Sequence, residues 1–253
     1  MGIIPANFRS VYNIDDFTIN EYVDLIRIAK SNYRFVDYNL TELKGNFILM
    51  RHDCDFSLNR ALRIAQIEND NSVISTFFIN PHCEFYNVLE KSQTKILKKI
   101  LELGHNIGLH FDLFYYDVSS EDQLNDLVGK EAQWLQSLLE CKIKAFSYHN
   151  PSNLCLTWDQ IEYGGLINCY SNFFQNNVPY CSDSNGYWRF RRLRDVLEQA
   201  TDPCLQILTH PGWWQEKPML PRERILRAVK GRASALMKMY DNFLEEAGRK
   251  NIK

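Results

Sequence analysis

Short apolar runs alternate with amphipathic stretches at helical spacing along most of this chain, and that alternation limits what it can fold into. Phe47-Ile48-Leu49-Met50 is apolar at every position, as expected of a strand buried on both faces of a parallel sheet. Residues 73–79, 106–110, 144–149 and 206–210 read as further strands, with 166–170 as a shorter one. Between them, residues 57–70 place Leu58, Ala61, Leu62, Ile64, Ala65 and Ile67 on one helical face. Residues 84–103 and 119–140 read as helices, as do 18–31 before the first strand and 221–247 at the end of the chain. The expected class is α/β with a parallel sheet. No repeat or low-complexity linker interrupts the pattern, so residues 1–253 are taken as a single domain. The stretch 150–190 reads as a loop-bearing insertion, with no regular pattern over 172–191.

With 253 residues and 45% hydrophobic content, the chain can bury one large core. A net charge of −2 gives no electrostatic footprint for nucleic acid or an anionic membrane. Lys91, Lys95, Lys98 and Lys99 read as the solvated face of a helix. No apolar run approaches the roughly 20 residues that span a bilayer. Met1 to Ser10 lacks a cationic segment followed by an apolar one, so no signal peptide is expected. Seven scattered cysteines without a C-x-x-C pair suit reduced thiols, and the expected location is cytoplasmic.

Four of the strands end in ionisable groups: Asp53 and Asp55, then His110 with Asp112, then His149, then His210. Side chains alternate along a strand, so Asp53 and Asp55 can share a face, and His52 should point the other way as a structural residue. Paired carboxylates are costly unless a cation or a proton separates their charges. Asp is also common as a helix cap, and a lone strand-end histidine is usually structural. Three such histidines beside two carboxylates exceed what capping requires. In parallel α/β barrels the C-terminal strand ends form one face that carries the active site. Asp and His are ligands for zinc and related divalent metals.

These residues fall into a known order of motifs. Arg51-His52-Asp53-Cys54-Asp55, Ser75-Thr76-Phe77-Phe78, Gly104-His105-Asn106-Ile107-Gly108-Leu109-His110, Ser147-Tyr148-His149-Asn150-Pro151 and Ile207-Leu208-Thr209-His210 together resemble the polysaccharide deacetylase family (NodB homology, carbohydrate esterase family four), in its branch with an Arg-His-Asp-x-Asp first motif. The resemblance implies a distorted, NodB-like (β/α) barrel of about seven parallel strands. It implies one divalent metal, zinc first, with iron, cobalt, manganese or nickel as alternatives. It implies hydrolysis of a linear amide C–N bond, removing an acetyl or formyl group from an amino sugar. Carried over residue by residue, Asp53 is the general base, His210 the general acid, and Asp55 and His110 are metal ligands. The family's usual second histidine is replaced by Phe114. The third ligand is therefore open, with His149 ahead of Asp112 and His105. His149 could instead orient Asp53.

Arg51, Trp188, Trp213 and Trp214 are the expected substrate-binding residues, the aromatics because rings with polar rims stack on sugars. Residues 182–189 suit a loop over a sugar groove. The expected substrate is an amino sugar of a surface polysaccharide or its precursor, whether free, nucleotide-linked, lipid-linked or polymeric. Two other readings remain: an inactive relic that binds glycans, and an amidohydrolase acting on a non-sugar amide.

Overall fold

The computed structural model describes residues 11–252, so Met1–Ser10, read above for a leader, lie outside the described residues. Ten strands form one sheet: β1 (Arg34–Val36), β2 (Phe47–Asp53), β3 (Thr76–Ile79), β4 (Asn106–Asp112), β5 (Ala145–His149), β6 (Glu162–Tyr163), β7 (Leu166–Asn168), β8 (Tyr180–Ser184), β9 (Tyr187–Trp188) and β10 (Cys204–Thr209). The order β7-β5-β4-β3-β2-β10-β8 is parallel throughout, giving the seven parallel strands expected. The two-residue β6 and β9 add antiparallel edges, and β1 pairs in parallel with the start of β2. The helices are α1 (Ile19–Asn32), α2 (Leu58–Asp70), α3 (Lys91–Glu102), α4 (Glu121–Leu139), α5 (Asn172–Asn177), α6 (Leu193–Gln199) and α7 (Pro221–Glu246). None is long and apolar enough to cross a membrane.

The sheet curls into an open barrel, and its packing shows this directly. Phe47, Leu49, Phe78, Ala145, Ile167 and Cys204 meet in one buried cluster although their strands are spread across the sheet order. Gln206 of β10 donates from Nε2 to the carbonyl of Cys169, just beyond β7, which a flat sheet would hold far away. Ile48 and Met50 belong instead to the larger core between sheet and helices. The period-two alternation of β2 thus sends Phe47, Leu49, Arg51 and Asp53 inward and Ile48, Met50 and His52 outward. Gly108 on β4 makes room for the Phe78 ring, since a Cβ there would meet it at 2.5 Å.

Beneath the helices, His52 heads a buried polar network. Its Nδ1 lies 3.0 Å from Thr209 Oγ1 and its Nε2 lies 2.9 Å from Glu68 Oε1. Glu68 also accepts from the Tyr22 hydroxyl at 2.6 Å and from Ser75 Oγ at 2.6 Å. Burial would raise the Glu68 carboxyl, but His52 and these donors hold it below its usual range. His105 joins through Ser75 and the carbonyl of Ala65, 2.9 Å from Nε2. Both histidines therefore serve the outer packing layer, and His105 is removed from the candidate ligands.

The structure departs from the sequence expectation in detail. The 73–79 strand is shortened to Thr76–Ile79, and the 84–103 helix begins only at Lys91. Strands β1 and β8 were not foreseen, because Arg34–Val36 is too short for a pattern and Tyr180–Ser184 is mostly polar. The second half of α7 leaves the body, with Met237, Met239, Tyr240 and Phe243 exposed. Truncating Glu68 to Ala should leave Tyr22, Ser75 and His52 without their shared acceptor. A loss of roughly 3–5 kcal/mol in urea unfolding is expected, and a loss below about 1 kcal/mol would show that the network is not structural.

Candidate metal centre

Arg51 and Asp53 sit two residues apart on the inner face of β2. Both are buried, and they form a bidentate pair, Nε to Oδ1 at 2.9 Å and Nη2 to Oδ2 at 2.7 Å. The guanidinium also donates to the Tyr170 hydroxyl at 3.1 Å and lies over the Phe78 and Tyr170 rings. Burial would raise the Asp53 carboxyl, but Arg51, followed by His110, holds it below its usual value. Asp53 is therefore an ionised carboxylate fixed in one orientation.

Asp55 follows as the chain leaves β2. Its Oδ1 lies 3.2 Å from His110 Nε2 and 3.8 Å from His149 Nδ1, and those two nitrogens are 3.3 Å apart. One ligand atom from each residue falls within 4.8 Å of the others. Strand pairing explains the convergence. Asp53 is in register with Phe78 of β3, which is in register with Gly108 of β4, while Asp112 of β4 faces His149 of β5. Burial would raise the Asp55 carboxyl, yet His210, then His110 and His149, hold it well below the usual range. Burial, with His110, lowers the His149 imidazole, which favours the neutral form a metal requires.

The donor set fits a divalent cation. Asp55 Oδ1 is buried with no hydrogen-bond partner, an unusual state for a carboxylate oxygen. His110 Nδ1 lies 2.7 Å from Ser147 Oγ, its register partner on β5, and donation there leaves Nε2 with a free lone pair. Asn150 Nδ2 lies 3.0 Å from His149 Nε2; a half turn of that amide puts its oxygen toward the ring, so that Nε2 donates and Nδ1 keeps its lone pair. Of the three residues considered for the third ligand, only His149 reaches Asp55 and His110. Asp112 turns away, its Oδ1 accepting from the Phe114 and Tyr115 amides at 3.0 and 3.3 Å. Phe114, in place of the family's second histidine, is exposed.

His210, one residue beyond β10, faces the same group, with Nε2 3.5 Å from Asp55 Oδ2. Its Nδ1 contacts Asp183 Oδ1, and its backbone amide donates to Asp183 Oδ2 at 2.9 Å. Burial pulls the imidazole down, but Asp183, followed by Asp55, outweighs it and the pKa is pushed up to about 10. Asp183 was not singled out from sequence, because it lies on β8, in the stretch without a regular pattern. Its sequence signal is faint: an acid two residues after a buried Cys181.

The expected substrate-binding set needs correction. Arg51 has no exposed surface and is spent on Asp53 and Tyr170, so it positions a carboxylate and does not meet substrate. Trp214 is fully buried against Tyr22 and Phe17, and Trp188 stacks on Phe17 at 5.0 Å. Both pack inward because α1 and the preceding 3-10 turn bring apolar rings over them. Trp213 alone of the four stays at the site, beside Phe56 and His210. It lines a hollow of about 230 Å³ with Asp53, Asp55, His110, His149 and His210, and a second of about 620 Å³ toward Phe114 and Tyr115.

No protein-family model matches this sequence, and no curated protein is recognisably similar to it. Solved structures are. A family 4 carbohydrate esterase from Bacillus anthracis aligns over 91% of this chain and 88% of its own, at 18% identity and a TM-score of 0.42. The catalytic domain of a peptidoglycan N-acetylglucosamine deacetylase from Eubacterium rectale aligns over 75% and 86%, at 12% identity and 0.46. A chitin deacetylase from Colletotrichum lindemuthianum aligns over 75% and 84%, at 14% and 0.41. The chain resembles the polysaccharide deacetylases. At such identities and TM-scores no residue role is transferred, and the roles below are read from this chain's own atoms.

Metal analysis of protein purified without chelator should find close to one divalent ion per chain, and Asp55→Ala should abolish it. Adding back the metal should raise the Tm of the native protein and leave that of Asp55→Ala unmoved, as binding to the folded state alone requires. Metal retained in Asp55→Ala would remove this cluster as the binding site.

Proposed function

We propose that this chain is a metal-dependent hydrolase that removes an N-acyl group from an amino sugar. One observation carries the reading. A three-donor cluster is flanked in a single hollow by a clamped, ionised carboxylate, Asp53, and by a protonated imidazole, His210. Amide hydrolysis needs both a base and an acid, because an amine leaves only after its nitrogen has been protonated.

One carboxylate and two imidazoles suit zinc, and iron, cobalt, manganese or nickel would also fit. A divalent cation held there would make water a stronger acid and polarise the acyl carbonyl. Asp53, clamped by Arg51 with its Oδ2 3.6 Å from His110 Nε2, accepts a proton from the attacking water. The water oxygen bonds to the acyl carbon, the C–N bond breaks, and His210 Nε2 delivers its proton to the departing nitrogen. The products are a free amino sugar and a small carboxylic acid. Asp183 is the first support for the protonated form of His210. Trp213 supplies an apolar wall at the mouth. Acetyl and formyl differ by one methyl, worth about 1–3 kcal/mol to a fitted pocket, so both belong in the substrate panel. Seven unpaired cysteines support a reducing compartment for the activity.

The test is release of acetate or formate from N-acetyl and N-formyl amino sugars by metal-loaded protein. Silence across the panel with metal bound would favour a non-sugar amide, and failure to bind any metal would favour a glycan-binding relic. Asp53→Asn should keep its metal and lose at least about 100-fold in kcat; normal turnover would remove Asp53 as the base. His210 acts in its protonated form, so activity should fall as pH rises through its pKa. Asp183→Asn removes the main support for that proton and should move the alkaline limb to lower pH. An unshifted limb would separate Asp183 from the acid.

A further inference from the structure

A third hollow, of about 410 Å³, opens beside the site between the first turn of α2 and the first half of α7. Phe56 and Phe85 line both this hollow and the one that holds Asp55 and His149. These two rings, 6.2 Å apart, are the partition, and Phe56 is bonded directly to Asp55 in the chain.

The hollow is cationic. Arg60, Arg224, Arg227 and Arg232 line it, and its one lining carboxylate is Glu90, which Arg232 already holds through both of its Nη atoms. The other three guanidiniums meet only neutral acceptors there: Arg60 Nη2 the carbonyl of Trp214, Arg224 Nε and Nη1 the carbonyls of Met219 and Gly186, and Arg227 Nη1 the Gln215 amide oxygen. Glu216 reaches Arg60 from outside, at 3.8 Å and half exposed. Two buried nitrogens, Arg60 Nε and Arg224 Nη2, have no hydrogen-bond partner, and Arg224 is 1% exposed. Burial lowers the Arg60 pKa, and Arg227 and Arg63 lower it further against the pull of Glu216, as mutual repulsion among cations requires. The first turn of α2 adds the positive end of a 13-residue helix. Forked donors around a concave, positively polarised space match phosphoryl oxygens.

We propose that this hollow binds the phosphoryl oxygens of a phosphate- or diphosphate-linked amino sugar, so that the sugar's N-acyl group reaches the metal centre across Phe56 and Phe85. The proposal rests on the N-deacylase reading and narrows its substrate to sugars on an anionic carrier.

The test uses the metal-loaded protein with inorganic diphosphate, a uridine diphosphate and a prenyl diphosphate as probes in calorimetry, alongside turnover of N-acylglucosamine free and nucleotide-linked. Arg227 is exposed, so Arg227→Glu should fold normally. Expected are diphosphate binding weakened about tenfold or more in Arg227→Glu, binding retained in Asp55→Ala, and a matching rise in KM for the nucleotide-linked sugar alone. Tighter binding of the uridine or of the prenyl probe would support the proposal and name the carrier. Binding that is unmoved by Arg227→Glu, or lost in Asp55→Ala, would put the anion at the metal and overturn the proposal. Arg227-dependent diphosphate binding without turnover of either sugar would overturn the deacylase reading while supporting the anion hollow.

Discussion

The buried pair between Arg51 and Asp53 organises the interior of this barrel. Taking a guanidinium and a carboxylate out of water costs several kcal/mol per ion, and only close, bidentate contact with further hydrogen bonds offsets it. Here the contact is bidentate, and Tyr170 and Phe78 surround the guanidinium. The consequence for the site is a division of labour between two carboxylates. Asp53 is neutralised by its own strand, which leaves Asp55 as the carboxylate whose charge is answered only by imidazoles.

The same strand serves two purposes through its alternation. Its inner face carries Arg51 and Asp53 toward the chemistry. Its outer face carries His52 into a saturated network with Glu68, Tyr22 and Thr209 beneath the helices. His52 and His105 are thereby accounted for by packing, His82 is taken up by Glu131 and Tyr116, and His110, His149 and His210 are left to the inner rim.

The fold was legible because parallel strands buried on both faces are continuous apolar runs, as at Phe47–Met50, and because the helices between them keep a clear stripe. The convergence of Asp55, His110 and His210 was legible because strand ends in such a sheet share one face. What could not be read depends on neighbours that are distant in sequence. Trp188, Trp213 and Trp214 look alike in the chain, yet only the position of Phe17 and Tyr22 decides that two are covered and one faces the site. Strand β8 escaped notice because its backbone bonds to β10 hold a polar sequence extended, and Asp183 was hidden with it. The arginine hollow was equally invisible, since Arg60 and Arg227 lie on helices 160-odd residues apart in sequence.

The proposed base and the proposed acid are anchored differently. Arg51 and Asp53 belong to one central strand, so their geometry travels as a rigid unit. His210 takes its partner from β8, whose only neighbours are β10 and the two-residue β9. A ligand leaning on the β8–β9 hairpin would thus act first on His210, the proposed proton donor, through Asp183, and substrate shape at that edge would become a lever on the second half of the proposed reaction.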